Sequence, residues 1–443
     1  MKNFLIVLLM FFGVLNIDVA EAKEVEIIES VDVGKVVSAF PGGFCLLTAG
    51  DNQYVAYYDD QHRMTVASRR LKDNKWQYKV LDSKIGWDSH NYITMAIDDE
   101  GYLHLSGNMH CVPLIYFRTA KPWDIATFQQ VKSMTGNNEQ RCTYPNFMRG
   151  ADDKLIFHYR DGGSGNGNEI YNVYDLKTQK WKRLTDKPFT DGQGKMNAYM
   201  WGPNKGPDGY FHLCWVWRDS PDCQTNHDPS YARSRDLLHW ENIAGVPLSL
   251  PITIDQKSSI IDAVPAKGGI LNGSLKIGFD SNDKVVASYH KFDAKGNTQA
   301  YAARFTDDKW QIKQISKWDY RWEFKGNGSI GREINLGAVT RQDKGELALP
   351  YSHIKHGSGL FIIDQKNLEL VRIEKQQRRY PLQLSKAGSD FPGMQVRWAN
   401  DLGKCDEKDC RYVLRWESLA PNRDRKPDGK LPQPSKLCVL KLN

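Results

Sequence analysis

The chain contains no Gly-x-Ser-x-Gly and no His-Glu-x-x-His, so it encodes neither a nucleophile elbow nor a two-histidine zinc-protease helix. Apolar positions rarely recur at helical spacing, which argues against a helical bundle or a parallel sheet wrapped in helices. Cysteine is sparse, at eight in 443 residues, too few for a disulfide scaffold. Beyond an apolar run from Phe4 to Leu15, no segment approaches the roughly 20 apolar residues that a membrane span requires. Long basic runs are also missing, which counts against a nucleic-acid partner.

What is present begins with a leader. Met1-Lys2, the run Phe4 to Leu15 and Ala20-Glu21-Ala22 have the charged, apolar and small-residue layout of a secretory signal peptide, so residues 1–22 are expected to be removed after Ala22. No cysteine sits at that point, so a lipid anchor is not indicated. Export to the periplasm or the extracellular space is expected. The net charge is +7, and loss of Lys2, Asp18 and Glu21 with the leader raises the excess by one, which favours an anionic partner. Cys405 and Cys410 flank Asp-Glu-Lys-Asp in a predicted hairpin tip and form the pair expected to be bridged. The other cysteines read equally well as buried thiols.

From Gln53 onward one grammar repeats: an apolar-alternating strand, an Asp/Gly/Asn turn, a second strand, a polar loop, a third strand and a fourth containing Trp. Six units begin near Tyr54, Tyr92, Tyr144, Ala198, Lys276 and Glu333. Several close on similar words, namely Asn74-Lys75-Trp76, Gln179-Lys180-Trp181, Leu238-His239-Trp240 and Asp308-Lys309-Trp310. A seventh begins near Met394 and lacks a clear last strand until Leu437-Cys438-Val439. Repeats of roughly 40 to 50 residues with four strands apiece predict an all-β fold, a single seven-bladed β-propeller of four-stranded antiparallel blades over residues 23–443. The early strand Phe44 to Leu47, or a neighbouring early segment, is expected to complete the last blade.

Propeller loops converge over a central channel, so equivalent positions in successive units meet in space. His90, in Trp87-Asp88-Ser89-His90-Asn91-Tyr92, precedes one predicted strand, and His110 follows the next. The third unit offers Tyr144 and, sixteen residues on, Arg160. The fourth offers Tyr199, Arg218 and His227. Together they predict a cationic, proton-exchanging pocket. Each has a plainer reading: His104, His158 and His212 lie within predicted strands and read as hydrogen-bonded structural residues, Tyr144 and Tyr199 as packing aromatics, and Arg160 as a partner of Asp161.

Two further patterns compete weakly. His212-x-Cys214 with Cys223-x-x-x-His227 has zinc-ligand types, but the joining segment is short and a Cys214–Cys223 disulfide competes. The glycine-rich stretch Asp161 to Asn168 is followed by no Lys-Ser/Thr, so it reads as a hairpin loop beside the pocket rather than a phosphate cradle.

At these residues the chain resembles the BNR-repeat-like seven-bladed propellers that act on uronic-acid polysaccharides, a group including ulvan lyases and rhamnosyl-glucuronate lyases. The resemblance runs from about Val31 to the C-terminus. It is strongest in His90-Asn91-Tyr92, Asp99-x-Gly101-Tyr102-x-His104, His110, Thr143-Tyr144-Pro145, Tyr159-Arg160 and Tyr231 to Asp236. It implies that His90, His110 and Tyr144 are catalytic in proton transfer and that Arg160 holds the uronate carboxylate with Tyr199 nearby. Asn91, Arg218 and His227 complete the expected substrate-binding set. A related propeller family includes an α-L-rhamnosidase with an early catalytic histidine; Gly42 to Gly50 resembles that region but contains no histidine. Ser234 to Trp240 is similar to a degenerate Asp-box, without the arginine triad of a sialidase.

The sequence therefore predicts a lyase that cleaves at glucuronate by β-elimination, where L-rhamnose caps it through an α-1,4 linkage. An α-L-rhamnosidase or a non-catalytic glycan-binding propeller is the alternative. The substrate is expected to be an anionic uronic-acid glycan and the protein a monomer with no membrane span. The chemistry requires no cofactor, although a structural Zn or Ca ion is compatible with it.

Overall fold

The computed structural model describes residues 25–404 and 410–443. The expected signal peptide lies outside the described residues. As the period-two alternation predicts, the chain is all-β, and among the described residues its strands form seven antiparallel sheets of four or five strands. In chain order the inner strands are Cys45–Ala49, Ile93–Ile97, Cys142–Arg149, Asn197–Lys205, Lys276–Phe279, Ile334–Leu336 and Gln395–Asn400. Six of these open within a few residues of the predicted unit starts. The first unit opens earlier than Tyr54, because Cys45–Ala49 pairs with Asn52–Tyr58 across a two-residue turn at Gly50, whose φ is +54°.

That pairing corrects the expectation for Phe44 to Leu47. This stretch is buried on both faces, as suits an inner strand packed between neighbouring sheets, and it begins the first sheet. The last sheet is completed by the neighbouring early segment Ile27–Val36, the alternative the sequence allowed, which pairs along its length with Ser435–Leu442. Its burial alternates over the first four residues, as an outer strand requires. The first and last units also touch at their inner strands: Leu402 N–H donates to Leu46 O at 2.9 Å and Thr48 N–H to Asp401 Oδ1 at 2.8 Å. One core cluster accordingly joins Val33, Val36 and Leu46 to Leu414, Leu437 and Val439.

The expected structural histidines fill such seams. His104 is fully buried between Tyr116 Oη at 2.7 Å and Asp98 Oδ2 at 3.1 Å. His212 is placed alike, between Tyr231 Oη at 2.7 Å and Asp208 Oδ1 at 2.8 Å. Gly43 serves packing: a Cβ there would stand 2.3 Å from the Cβ of Tyr92, so only glycine lets the first unit approach the turn carrying His90. Cys410 is disulfide-bonded, and its expected partner Cys405 lies outside the described residues. Cys214 and Cys223 are free thiols, which removes the disulfide weighed for them. No helix of the described residues is long and apolar enough to cross a membrane.

The terminal seam generates a test. Val36 is fully buried against the last sheet, whereas Ile28 on the same strand is 56% exposed. Val36→Asp places an unpaired charge in the seam and is expected to cost about 3 kcal/mol in denaturant unfolding, against about 0.5 kcal/mol or less for Ile28→Asp.

Candidate active site

The site starts from a tight turn. The Asp88 side chain accepts from its own His90 N–H at 2.9 Å, a local side-chain turn that folds the imidazole back over the carboxylate. His90 Nδ1 then lies 2.8 Å from Asp88 Oδ1, and His110 Nδ1 lies 2.5 Å from Asp88 Oδ2. One carboxylate thus takes both rings, whose centroids stand 4.5 Å apart. His110 arrives by an unexpected route. It lies on a short strand, His110–Val112, that leaves the second sheet and pairs with Cys142–Arg149 of the third, setting His110 opposite Thr143.

A second carboxylate, Asp424 of the last unit, approaches His90 Nδ1 at 3.3 Å. Burial works against the charged imidazole, but the Asp424 and Asp88 carboxylates outweigh it and raise His90 to about 9. Asp88 moves the other way: burial would raise it, and the hydrogen bonds from His110 and His90 hold it well below the usual carboxylate range.

Tyr144 follows immediately. Pairing between the first two strands of the third sheet slips between Thr143 and Asn146, and Tyr144 sits in that bulge with φ +58°. A non-glycine residue in the left-handed region costs roughly 1–3 kcal/mol. The bulge sets the ring 6.1 Å from His90 and 6.3 Å from His110, stacked on the latter at 28°. Burial pushes the Tyr144 phenol up, opposed by Arg160 and Arg218. Tyr199 stands 6.4 Å away and shares a 2.6 Å hydrogen bond with Ser164, at the tip of the glycine-rich hairpin, which lies beside the pocket as predicted.

These side chains line a cavity of about 850 Å³ that includes His90, His110, Tyr144, Tyr199 and Arg218. Its far wall comes from later units and carries Lys325, Arg332, Arg423 and Arg425, with Asp424 as the acidic exception. A second cavity of about 410 Å³ shares Tyr144, Tyr199 and Asn272 with the first. Arg160 lines this second space rather than the larger one. It is 1% exposed, its Nε donates to Gly162 O at 3.2 Å, and both Nη atoms have no partner among the described residues. Its guanidinium lies 4.9 Å from the Tyr144 ring centroid and 5.7 Å from that of Tyr199, and the Arg218 guanidinium lies 5.1 Å from the same Tyr199 ring.

Two expected substrate residues reach neither cavity. Asn91 is pinned behind the turn, its carbonyl accepting from Tyr58 Oη at 2.7 Å. His227 is held between Asp219 at 2.9 Å and Asp228 at 3.0 Å, outside both cavities. The zinc set His212, Cys214, Cys223 and His227 does not assemble among the described residues: each histidine is taken by aspartates, and Cys214 Sγ donates to Leu275 O. Asp88, His90 and His110 do bring three metal-donor atoms within 4.8 Å of one another. Their contacts of 2.8 and 2.5 Å are those of hydrogen bonds, shorter than the roughly 3.3 Å between two ligands about 2 Å from a tetrahedral ion. Sequence reasoning quoted Asp88 without a role and missed Asp424 and the far wall, which lie in loops carrying no periodic or motif signal.

A family model described as BNR repeat-containing family member matches residues 52–318. The short-isoform ulvan lyase of Alteromonas sp. (strain LOR) is 41% identical over 144 residues, covering 29% of this chain and 27% of that protein. Another ulvan lyase of the same strain is 23% identical over 242 residues, 45% of this chain and 48% of that one. The chain therefore spans less than half the length of these curated relatives. Among solved structures, the polysaccharide lyase Uly1 superposes with a TM-score of 0.62 at 12% identity, covering 94% of this chain and 99% of its own. A PL25 ulvan lyase bound to -[GlcA(1-4)Rha3S]- gives 0.55 at 14% identity, with 92% and 95% covered. At these identities the likeness is one of fold.

The His90 contacts predict a pH dependence of stability. A histidine raised to about 9 in the folded state stabilises the fold fully below its unfolded value near 6.5, and that contribution is lost as pH rises through about 9. His90→Gln is expected to flatten the decline in unfolding free energy between about pH 6.5 and 9.5, measured by denaturant titration. An unchanged slope would remove the imidazolium from the account.

Proposed function

Because the chain belongs to the BNR repeat-containing family, we propose that its seven sheets close into a seven-bladed propeller and that the central cavity is the active site of an exported polysaccharide lyase. The substrate is a glycan containing glucuronate, cleaved by β-elimination where rhamnose is joined to its O4. The observation that carries this reading is the convergence of two imidazoles and a strained tyrosine on one cationic cavity, beside a buried arginine with two free donors. Relatives named as ulvan lyases support it.

Abstraction of H5 builds charge on the uronate carboxylate, and a planar guanidinium stabilises the enolate-like transition state more than the ground state. Arg160 supplies that fork through Nη1 and Nη2, and Arg218 packs on the same Tyr199 ring. For glucuronate H5 and O4 lie on one face, so base and acid must be neighbours. His110, its Nδ1 taken by Asp88, presents Nε2 as the base. Tyr144, kept protonated by burial, donates to O4 as the C4–O4 bond breaks and the C4–C5 double bond forms. His90 stays charged beside them and steadies the developing anion. No step uses a metal. Hydrolysis is disfavoured here because the two carboxylates beside the imidazoles are held ionised, Asp88 by His110 and His90 and Asp424 by His90, and neither offers a carboxylic acid.

Elimination leaves a conjugated unsaturated uronate that absorbs in the ultraviolet, and hydrolysis does not. Rhamnose-capped arabinogalactan and ulvan are both expected to give this absorbance, and excess chelator to leave it unchanged. His90→Ala, His110→Ala and Tyr144→Phe should each lower the rate by roughly 10²–10⁴, while Arg160→Lys, which keeps the charge but loses the fork, should reduce turnover with folding retained. Release of rhamnose without unsaturated product would overturn the assignment.

A further inference from the structure

The far wall of the cavity does more than add charge. The 325–330 loop crosses from the fourth unit to the last: Gly326 N–H donates to Asp222 Oδ1 at 2.6 Å, and Gly326 O accepts from Cys223 N–H at 2.9 Å. From the last unit, Arg423 Nη1 donates to the residues on either side of Gly326, Asn327 O at 2.7 Å and Lys325 O at 3.2 Å. Arg423 and Asp424 are consecutive non-glycine residues with φ +52° and +61°, a conformation that surrounding bonds must hold in place. The result is a carboxylate aimed at the turn of the second unit. Asp424 Oδ1 accepts from Ser329 Oγ at 2.8 Å and Ser89 Oγ at 3.4 Å, Oδ2 from Ser329 N–H at 3.2 Å, and Oδ1 stands 3.3 Å from His90 Nδ1. Lys325, Asn327, Ser329, Arg423 and Asp424 lie beyond residues 52–318, the stretch that the family model matches.

We propose that Asp424 is a positioning residue: the clasp of the 325–330 and 422–425 loops carries its carboxylate across the cavity to hold the His90 imidazole charged and oriented for the elimination. The role in elimination rests on the reading of the site as a lyase. The pairing of Asp424 with His90 does not. The groups facing His90 are Asp88 on its own turn, His110, Tyr144 of the third unit and Asp424. Asp88 is divided between two rings, so Asp424 is the acid that serves His90 without serving His110. The raised titration of His90, to which Asp424 contributes, agrees with this geometry.

Asp424→Asn keeps the shape and the acceptor for Ser329 while removing the charge, and Ser329→Ala loosens the clasp while keeping the charge. The His90 imidazole is followed by carbon-13 chemical shift against pH in the full chain, with His90→Gln identifying its signal. Removing an opposite charge at this distance should lower its pKa by about one unit or more. In Asp424→Asn the alkaline limb of the activity profile should move down by the same amount. kcat should fall roughly tenfold above the new value with KM little changed, and Asp424→Glu should restore part of both.

If Asp424→Asn leaves the His90 titration in place, the proposal is overturned even when activity drops, because Asp424 is then only a brace. If the titration moves but the rate and profile do not, Asp424 has no part in the reaction and the proposal is equally overturned. A native chain that makes no unsaturated uronate refutes the lyase reading, and the His90 titration still decides the pairing.

Discussion

Asp88 holds two imidazoles on one carboxylate, and the rest of the site is built round that contact. Its two oxygens separate the ring nitrogens, bring the centroids to 4.5 Å and fix Nδ1 of each ring, so that Nε2 is the nitrogen left for other work. Two imidazoles this close would repel if both were charged without an acid between them. The carboxylate offsets that repulsion, and its own proton affinity falls as a result. A turn three residues long is enough to build the His90 half. The His110 half requires a strand to change sheets, which is why His110–Val112 abandons the second sheet for the edge of the third.

Arg160 poses the complementary problem. A guanidinium buried with both Nη atoms unpartnered is costly, and stacking against Tyr144 and Tyr199 offsets only part of that cost. Tyr144 itself sits in a left-handed conformation that an ordinary strand residue avoids. Strain and unsatisfied donors lie side by side, with two cavities meeting at the same two tyrosine rings. Such costs are tolerated where a ligand supplies the missing partner, and an anionic group is the partner these donors fit.

The sheets supply the stiffness that lets such a site persist. Inner strands hold backbone positions, and the chemistry stands on the turns and bulges between them: Asp88 to Tyr92, the Tyr144 bulge, the Ser164 hairpin tip and the clasp at Asp424. Closing the last sheet with Ile27–Val36 ties the beginning of the described chain to its end, so the unit bearing Asp424 is anchored against the unit next to His90.

Much of this was legible beforehand. Alternation and recurring turn residues reveal strands because both are local, and they located six of the seven unit starts. His90, His110, Tyr144, Tyr199 and Arg218 were recognisable by residue type at strand ends, and all five line one cavity. Asn91 and His227 carried the same signals and face elsewhere, because a side chain at a strand end points into the cavity or away from it according to turn geometry that residue type does not encode. Phe44 to Leu47 was assigned to the wrong sheet because alternation shows that a segment is a strand but not which partner it takes. Asp424 gave no sign at all: it meets Ser89 and His90 across more than 300 residues of sequence, and only the packing of sheets in space decides which loops face one another. The sequence by itself determined the strand-and-turn grammar and the chemical types available. Tertiary structure alone decided which carboxylate reached which imidazole, since those contacts depend on the relative placement of sheets rather than on any local preference.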